Sequence, residues 1–472
     1  MGLKLFNTLS RSVQDFSPLA PPRVGMYCCG PTVYDFAHVG NWRTFVFADL
    51  VRRWLEFNQF KVIHVMNITD VEDKIIRAVR ETRTSLRNFT GPFEAAFFTD
   101  MQTLNCRQPH ETPRATERIP DIISLIEKLL ERGIAYKAPD ASVYFSIEKY
   151  RACGCHYGQL LKLNFDEMRS AGRVKSDDYA KESIADFALW KARAPEDGEV
   201  FWPSPFGEGR PGWHIECSAM SMKILGASFD LHLGGEDLIF PHHEDEIAQS
   251  EAATGRPFVK YWLHAAHLLV EGKKMSKSLG NFFTLRDLLA KGFTGREIRC
   301  ALLQAHYRES FNFTFDGLQA VRAALARIDE CLAKLREISG PPYRGAVGAP
   351  DGFTHSALQR FTGSLDDDLN ISAAWGEVFK WIAELNRRIA ENSLTAPDAA
   401  MALTAWQKID SVLGIGTRPD TDIPSEIVSL LDARQAARKA RDFKRSDAIR
   451  DELKANGWAI EDTPKGPKLK KI

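Results

Sequence analysis

Two short stretches of the sequence contain residue types suited to binding phosphate. His38-Val39-Gly40-Asn41 precedes a segment with helical periodicity, and the unpaired N–H groups of a helix start attract phosphate. Gly40 would let a nucleotide approach the main chain closely. The basic loop from Lys273 to Asn281 could close over phosphates and stabilise charge that develops in a reaction. Taken alone, the first stretch is explained equally well by a glycine turn with a capping Asn. A lysine-rich loop is usually solvated surface, although Met-Ser-Lys-Ser is a more specific string.

The residues around the first stretch predict a parallel βαβ unit. The apolar run 24–29 predicts a buried strand, the apolar residues of 47–55 repeat with helical periodicity, and the run 61–66 predicts a second strand. Ligands of such sheets bind at the carboxyl ends of the strands. Cys29, His38 and Thr69 are therefore expected at the edge of the sheet where chemistry would take place.

A second group of predicted elements carries further polar residues. Residues 213–222 predict a helix, 229–233 predict a strand, and Pro241 predicts the first turn of another helix. On that helix His242 and Glu246 are four residues apart, so they share one face. Such pairs are commonly surface or capping residues, and their spacing alone does not establish a metal site.

Composition describes an ordinary globular protein of several domains. The chain has 472 residues, 44% hydrophobic and 26% charged, with a net charge of zero. No apolar run approaches the length of a membrane span, and the N-terminus lacks a signal-peptide pattern. Eight cysteines in so long a chain favour free thiols, so we expect a cytoplasmic protein with no membrane partner. Residues 438–472 contain 11 Lys or Arg against 6 Asp or Glu, a local basic excess.

Several separated motifs resemble one family. Pro31 to Asn41 resembles the HIGH motif of the class I aminoacyl-tRNA synthetases, with Asn41 in place of the final His, and Lys274 to Ser278 matches their KMSKS motif. The strings at 26–35, 67–70, 212–220 and 240–246 are similar to those of cysteinyl-tRNA synthetases in particular. The resemblance runs through nearly the whole chain, from Leu5 to the Glu461-Asp462 tail.

The resemblance implies an α/β fold with a Rossmann-like parallel-sheet catalytic domain that carries an insertion. An α-helical bundle and a small C-terminal domain would follow. We expect the first half of the nucleotide fold at 1–110, the inserted region at 111–185 and the second half at 186–252. The expected later regions are 253–315 with the lysine loop and stem contact, 316–415 with the anticodon-side bundle, and 424–472 with the basic C-terminal domain.

The same resemblance assigns roles to individual residues. It implies catalytic roles for His38, Lys274 and Lys277, and ATP binding by His38, Gly40, Asn41 and Lys277. It implies substrate binding by Thr69, Trp213, His232 and Asp237. Asp70 and Glu72 need no such role, because an acidic helix start suits the helix dipole.

The resemblance also implies one zinc ion per chain, held by Cys29, Cys217, His242 and Glu246. Two thiolates, an imidazole and a carboxylate suit Zn²⁺ chemically. Zinc would distinguish cysteine from serine, since shape alone separates such isosteres by only about 10². Cys28, His243 and Glu244 are expected to be neighbours that do not bind the metal, and strand alternation turns Cys28 to the opposite face.

The implied reaction joins L-cysteine to tRNA(Cys) with ATP, and we expect Mg²⁺ with the ATP and a monomeric enzyme. One rival is a ligase of the same ancestry that transfers cysteine to an amino sugar; residues 353–472 argue against it. The other rival is a catalytically silent RNA-binding paralogue.

Cys153, Cys155 and His156 suggest a second metal, but they have no matching second pair, and we favour incidental thiols.

Overall fold

Strands and helices alternate through the first two thirds of the chain, and helices dominate the last third. The structure is a computed structural model that describes residues 2–161, 186–276, 279–340, 352–416, 425–440, 442–463 and 466–471. Its strands are β1 (Lys4–Asn7), β2 (Ser12–Asp15), β3 (Arg23–Cys28), β4 (Lys61–Met66), β5 (Ala135–Lys137), β6 (Val143–Phe145), β7 (Phe187–Ala192), β8 (Gly209–Pro211), β9 (Phe229–Gly235), β10 (Val259–Ala265), β11 (Leu268–Val270), β12 (Lys273–Lys274), β13 (Phe311–Phe313), β14 (Trp458–Thr463) and β15 (Gly466–Lys471). Its helices are α1 (Val39–Phe57), α2 (Asp73–Thr82), α3 (Leu86–Thr103), α4 (Ile119–Glu131), α5 (Ile147–Ala152), α6 (Trp213–Leu225), α7 (Glu244–Thr254), α8 (Leu285–Ala290), α9 (Gly295–Leu302), α10 (Phe315–Ser339), α11 (Gly352–Asp366), α12 (Ile371–Ala390), α13 (Ala396–Leu413), α14 (Ser425–Lys439) and α15 (Phe443–Ala455).

A four-stranded parallel sheet lies at the centre of the first unit, in the order β10-β9-β3-β4. Cys28 is in register with Met66 on one side and with Leu233 on the other. The carboxyl ends of three strands therefore meet at one edge. The predicted strand–helix–strand unit is confirmed, because β3, α1 and β4 occupy the segments that periodicity indicated.

Helix α1 is buried along most of its length, and it begins in a well-capped turn. Its apolar residues, among them Trp42, Val46 and Trp54, pack into the core beside the sheet. His38 is the N-cap: its Nδ1 accepts from the backbone N–H of Asn41 at 3.2 Å. Asn41 Oδ1 in turn accepts from the backbone N–H of His38 at 3.1 Å. This reciprocal pair fixes where the helix starts.

The inserted region is a separate antiparallel sheet, in the order β5-β6-β7-β8, with α4 packed against it. Its core includes Ile122, Phe145 and Trp190. Strands β7 and β8 pair within this sheet, so the insertion extends to about residue 211 and not to the expected boundary at 185. The non-local pairing of β6 with β7 explains the difference, because β7 follows β6 by more than forty residues.

The second half of the parallel sheet contains one irregular segment. Residues 239–243 form a wide turn in which Phe240 is extended, with φ −141° and ψ 133°. The regular helix therefore begins at Glu244, and the expected helix start at Pro241 is wrong. His242 lies in the turn, yet its Nε2 still reaches Glu246 Oε1 at 3.1 Å.

Helices α10 to α13 form a bundle whose core is continuous with that of the parallel sheet. The apolar positions predicted on α10, including Leu318, Leu325 and Leu332, are buried. A buried charge cluster joins the bundle to α1. Arg299 donates to Asp49 Oδ2 at 2.6 Å and to the carbonyl of Leu413 at 2.7 Å, and Arg53 donates to the same Asp49 oxygen at 2.6 Å. The Gly- and Pro-rich stretch 340–352 predicts a linker, and most of it lies outside the described residues.

The chain divides into two compact units, Met1–Ile415 and Gly416–Ile472. The second unit holds two helices, α14 and α15, and an antiparallel hairpin of β14 and β15. The sequence predicts a single last helix near 427–456, and the structure shows that this prediction is wrong. Asp442 ends the helix, because its Oδ1 caps a new helix by accepting from the N–H of Arg445 at 3.0 Å. Ile427, Ile449, Leu453 and Trp458 form a small core of this unit.

Within the described ranges, the helices are all too short or too polar to cross a bilayer.

Candidate active site and metal centre

The start of α1 and the lysine loop lie against each other. The N–H of Val39 donates to the carbonyl of Phe283 at 2.9 Å, and the His38 ring packs on Phe282 with centroids 5.0 Å apart. A Cβ added to Gly40 would lie 3.0 Å from Met275 Cε. A side chain at residue 40 would therefore have to displace the end of Met275, and glycine avoids this. The two sequence motifs predicted to bind phosphate are therefore adjacent in space.

The lysine loop is held by hydrogen bonds from within. Asn281 Oδ1 accepts from the N–H of Ser276 at 2.9 Å, and Asn281 Nδ2 donates to the carbonyl of Lys274 at 3.2 Å. Lys273 and Lys274 are exposed on β12. Lys277 and Ser278 lie outside the described residues. Asn281 is therefore a candidate for holding the conformation of the loop. The sequence analysis included this residue in the loop but gave it no role.

Thr69 follows β4 at the carboxyl edge of the parallel sheet, as expected, and Asp237 follows β9 at the same edge. Thr69 is buried after β4, where its hydroxyl accepts from Asn67 Nδ2 at 3.1 Å. Asn67 also accepts from the N–H of Gly30 at 2.9 Å, and it leaves no room for a side chain at Gly30. Asp237 folds back over Gly235 at the end of β9, since a Cβ there would lie 2.2 Å from Asp237 Oδ1.

The four expected metal ligands converge in one buried cluster. Cys29 Sγ lies 3.9 Å from Cys217 Sγ and 3.8 Å from Glu246 Oε1, and His242 Nε2 lies 3.1 Å from the same oxygen. Ligands at 2.0–2.3 Å around a tetrahedral zinc would be about 3.3–3.8 Å apart. All four ligand atoms lie within 4.8 Å of one another. The residues therefore fit a zinc ion in both chemistry and spacing.

A second, overlapping set of four could also hold a metal: Cys29, His232, His243 and Glu246. His243 Nε2 lies 3.4 Å from Cys29 Sγ, and His232 Nε2 lies 3.0 Å from Glu246 Oε2. His243 was expected to be a non-ligating neighbour, and its ring instead lies within reach of the site. Sequence could not anticipate this, because the irregular turn at 239–243 sets the direction of both imidazoles.

Neighbouring charges and hydrogen bonds strongly shift the pKa values of three residues in the cluster. The hydrogen bond from Cys29 lowers the pKa of Cys217 to about 6, against the opposing effect of burial. Burial opposes ionisation of His242, but the charges of Cys217 and Glu246 raise its pKa to about 10. Burial also opposes ionisation of Glu246, yet His232 and His242 lower its pKa to about 2. Without a metal, Cys217 and Glu246 thus reach their deprotonated, metal-binding forms, whereas His242 has to release a proton before its imidazole can bind one.

Two neighbouring side chains, His214 and Trp213, contact His242 and orient its ring. His214 Nδ1 lies 2.9 Å from His242 Nδ1, and His214 Nε2 lies 3.4 Å from Asp245 Oδ2. The Trp213 ring stacks on His242 at 4.3 Å and is 39% exposed, so it forms a wall between the cluster and solvent. Because its Nδ1 faces His214, His242 directs its Nε2 into the cluster. Sequence reasoning missed His214, although it lies within the string at 212–220.

A second imidazole chain lies behind His243. His243 Nδ1 lies 2.8 Å from His264 Nε2, and His264 Nδ1 lies 2.8 Å from Thr8 Oγ1. No motif in the sequence pointed to His264.

Three other residues considered above, Glu244, Cys153 and Cys155, lie outside the ligand cluster. Glu244 accepts hydrogen bonds from the backbone N–H groups of Gly158, Gln159 and Leu160, so it anchors the insertion. Cys153 and Cys155 are exposed free thiols. In the part of the chain that the structure describes, neither they nor Cys28 belongs to a group able to hold a metal.

Solved structures of other synthetases share the fold. The chain superposes on Mycobacterium tuberculosis methionyl-tRNA synthetase in complex with methionyl-adenylate with a TM-score of 0.60 and 14% identity, covering 83% of this chain and 92% of that one. It superposes on the Agrobacterium radiobacter K84 agnB2 LeuRS–tRNA–LeuAMS complex with a TM-score of 0.58 and 12% identity, covering 85% and 84%. At these identities the likeness concerns the fold alone.

Family models and curated relatives give a more specific match. The model of the tRNA synthetases class I (C) catalytic domain matches residues 15–323, the DALR domain matches 360–417, and the cysteinyl-tRNA ligase anticodon binding domain matches 420–467. Cysteine–tRNA ligase of Chlamydia muridarum is 48% identical over 100% of both chains. That of Protochlamydia amoebophila is 44% identical over 99% of this chain and 98% of its own. The chain therefore belongs to the cysteine–tRNA ligase family of class I aminoacyl-tRNA synthetases.

Proposed function

We propose that this chain activates L-cysteine with ATP and transfers the cysteinyl group to the 3′-terminal adenosine of tRNA(Cys). One structural observation carries the proposal. Cys29 follows β3 directly, so the Cys₂HisGlu cluster and the helix start after His38 lie at the same edge of one sheet. A cysteine whose sulfur lies at the cluster would have its carboxylate near the phosphate-binding main chain.

In the first step, the cysteine carboxylate attacks the α-phosphate of ATP and pyrophosphate leaves. The backbone of His38, Gly40 and Asn41 holds the phosphates, and Lys274 and Lys277 stabilise the charge that grows on the leaving group. Mg²⁺ accompanies the ATP. Positioning and electrostatics account for the rate, and no covalent enzyme intermediate is needed.

Selection of cysteine belongs to the buried cluster of Cys29, Cys217, His242 and Glu246. A zinc ion bound there would supply a bond to the substrate thiolate that a hydroxyl cannot reproduce. We favour this set over the one with His232 and His243, since two thiols make it softer and Trp213 links it to solvent. His232 then contacts the substrate side of Glu246, and Trp213 closes the pocket.

The remaining regions serve the tRNA. We assign the bundle of α10 to α13 to the anticodon side and the second unit to anticodon binding. We also propose that the enzyme is a monomer and acts in the cytoplasm. All eight cysteines are free, and free cysteines stay reduced in that compartment. The amino-sugar ligase is disfavoured because the chain carries a match to an anticodon binding domain at 420–467. The silent paralogue is disfavoured by the intact ligand cluster.

Cysteine-dependent ATP–pyrophosphate exchange, followed by charging of purified tRNA, tests the proposal. The wild type should exchange with cysteine, should not exchange with serine, and should carry one zinc ion. Cys217→Ser should lose the zinc, and Cys155→Ser, an exposed thiol in the insertion, should keep it. Full zinc retention in Cys217→Ser would refute the ligand set.

Lys277→Ala should slow single-turnover adenylation while cysteine affinity is retained, because its contact forms mainly in the transition state. Lys273→Ala, which removes the same charge from the same loop, is the matched control and should adenylate normally. A large loss of cysteine affinity at an unchanged adenylation rate would contradict the role of Lys277.

A further inference from the structure

Helix α2 carries a row of arginines without partners. Arg77, Arg80 and Arg83 are exposed, and in the described part of the chain none of their side chains has a hydrogen bond, ion pair or ring contact. Other arginines differ: Arg114 pairs with Glu94, and Arg322 pairs with Glu297. Arginines that the fold does not neutralise leave a local positive field on a chain whose net charge is zero.

The acidic residues near the row are Glu72, Asp73 and Glu81, and the first two already have hydrogen-bond or ion-pair partners. Glu72 caps α2 by accepting from the N–H of Lys74 at 2.8 Å. Asp73 forms ion pairs with Lys191 and Arg210 of the inserted sheet. Glu81 is exposed and forms no ion pair with Arg77 in the described residues. Glu81 therefore offsets one of the three charges, and the row keeps a net positive field.

The row starts next to the active-site edge. Helix α2 follows the carboxyl end of β4 and residue Thr69, and a rise of 1.5 Å per residue puts Arg77 about 6 Å and Arg83 about 15 Å from the helix start. Arg77 and Arg80 are exposed on the helix, and Arg83 is its exposed C-cap residue, with φ 53°. The Lys74 ammonium lies 4.8 Å above the ring of Tyr34, in the turn that precedes His38. Lys74 thus adds one positive charge between the turn before His38 and the row.

A groove of about 430 Å³ borders the row on one side. Ile76, Val79, Leu86, Val200 and Trp202 supply its apolar wall, and Arg80 contributes the positive charge. Two acidic residues also line it. Asp197 is neutralised by Arg210 at 3.0 Å, and Glu199 is almost fully exposed. An apolar groove of this size beside unpaired arginines suits an unstacked base with its phosphates.

We propose that the row of Arg77, Arg80 and Arg83, with the groove beside it, binds the single-stranded 3′ end of the tRNA. This rests on the proposed function, which requires that end to reach the adenylate at the carboxyl edge of the sheet. Duplex RNA is a poorer fit, because double-strand binding domains span about 16 base pairs and this row is only about 9 Å long. The bases pack on the apolar wall, and the guanidinium groups meet the phosphates.

The triple variant Arg77→Gln, Arg80→Gln, Arg83→Gln tests the proposal. Pyrophosphate exchange should be unchanged, while the KM for tRNA in charging should rise at least about tenfold, with the slope of log Kd against log salt falling by about two. The matched control replaces Arg23, Lys61 and Arg256, three exposed cations at the opposite edge of the same sheet, with Gln, and should behave as wild type. A triple Arg→Lys variant, which keeps the charge, should restore most of the binding.

Equilibrium binding of a tRNA that lacks its four 3′-terminal nucleotides locates the contact. Shortening should weaken binding to the wild type and add little to the loss in the triple Gln variant. If the two losses are additive, the arginines do not bind the 3′ end, and the proposal is overturned. An unchanged KM in the triple Gln variant would overturn it as well. Absence of cysteine-dependent exchange in the wild type would instead refute the proposed function.

Discussion

At the scale of single residues, the metal centre depends on which of two adjacent imidazoles enters it. His242 and His243 lie in one irregular turn, and each brings a ring nitrogen within reach of Cys29 or Glu246. Their other nitrogens have different partners, His214 for His242 and His264 for His243. The His242 set contains two thiols, which favours zinc, and it adjoins the partly exposed Trp213. The two imidazoles of the His243 set instead pack against Trp262, which is buried.

Two Asn variants separate these possibilities. We expect His242→Asn to abolish tight zinc binding, because it removes a ligand. We expect His243→Asn to keep one zinc per chain with an affinity lowered by no more than about 10–100-fold, the usual effect of a residue behind the ligands. Metal analysis after dialysis against graded chelator gives the measurement. The reverse pattern would move the site to His232 and His243.

At the scale of elements, the rate of adenylation should depend on the contact between α1 and the lysine loop. In Gly40→Ala the new methyl group would meet Met275 Cε at 3.0 Å and His38 Cε1 at 3.1 Å, so the Met275 side chain and the His38 ring have to shift slightly. Because small displacements of catalytic groups are costly, we expect single-turnover adenylation to slow by about 10- to 100-fold. Cysteine binding should change little.

The control is Gly376→Ala, in the interior of α12, where a Cβ would meet nothing within 4 Å. It should leave adenylation unchanged and stabilise the helix by about 0.5–1 kcal/mol. Adenylation at the wild-type rate in Gly40→Ala would show that the loop does not need its close approach to α1.

The charge cluster of Asp49, Arg53 and Arg299 joins three elements: α1, α9 and the end of α13. Burial opposes ionisation of Asp49, but Arg299 and Arg53 hold its pKa below the ordinary value. Removing one member of a buried ion pair leaves uncompensated charge, so Asp49→Asn should cost about 3–5 kcal/mol. Urea unfolding at neutral pH measures this. Lys334→Ala, which breaks an exposed pair with Glu330 on α10, should leave the midpoint unchanged.

The pH dependence of the Asp49 contribution has a definite sign. The folded pKa lies below the unfolded value of about 3.9. The stabilisation is therefore fully present above about pH 4 and is lost as the pH falls through the folded pKa. The difference between the wild type and Asp49→Asn should narrow only in acid. A difference that shrinks between pH 6 and pH 8 would contradict this assignment.

At the scale of the whole molecule, sequence predicted what local pattern determines. β3, α1 and β4 were predicted because apolar runs and helical periodicity are local signals. The end of the insertion was not, because β7 joins β6 across a long intervening segment. The break between α14 and α15 was missed because one capping Asp interrupts an apolar pattern that continues through it. The ligand cluster was inferred from resemblance, and its ambiguity between His242 and His243 arises from a turn that no periodicity describes.

The last prediction concerns the division of the chain into two units. Residues 417–472 have their own small core, and the buried core of the first unit ends at Ile415. Deleting 417–472 should therefore leave the first unit folded, with pyrophosphate exchange unchanged. Charging should suffer, since the deleted residues include the basic excess of 438–472 and the whole match to an anticodon binding domain at 420–467.

Steady-state charging at two salt concentrations measures the effect of this deletion. We expect a higher KM for tRNA and a weaker dependence of that KM on salt, because phosphate contacts release counterions on binding. The full-length chain with Arg23→Gln and Lys61→Gln, which removes exposed charge far from the proposed tRNA path, should keep the wild-type salt dependence. An unchanged KM and salt slope in the deletion would show that the second unit does not bind tRNA. Loss of pyrophosphate exchange would show that the second unit supports the first, which its separate core argues against.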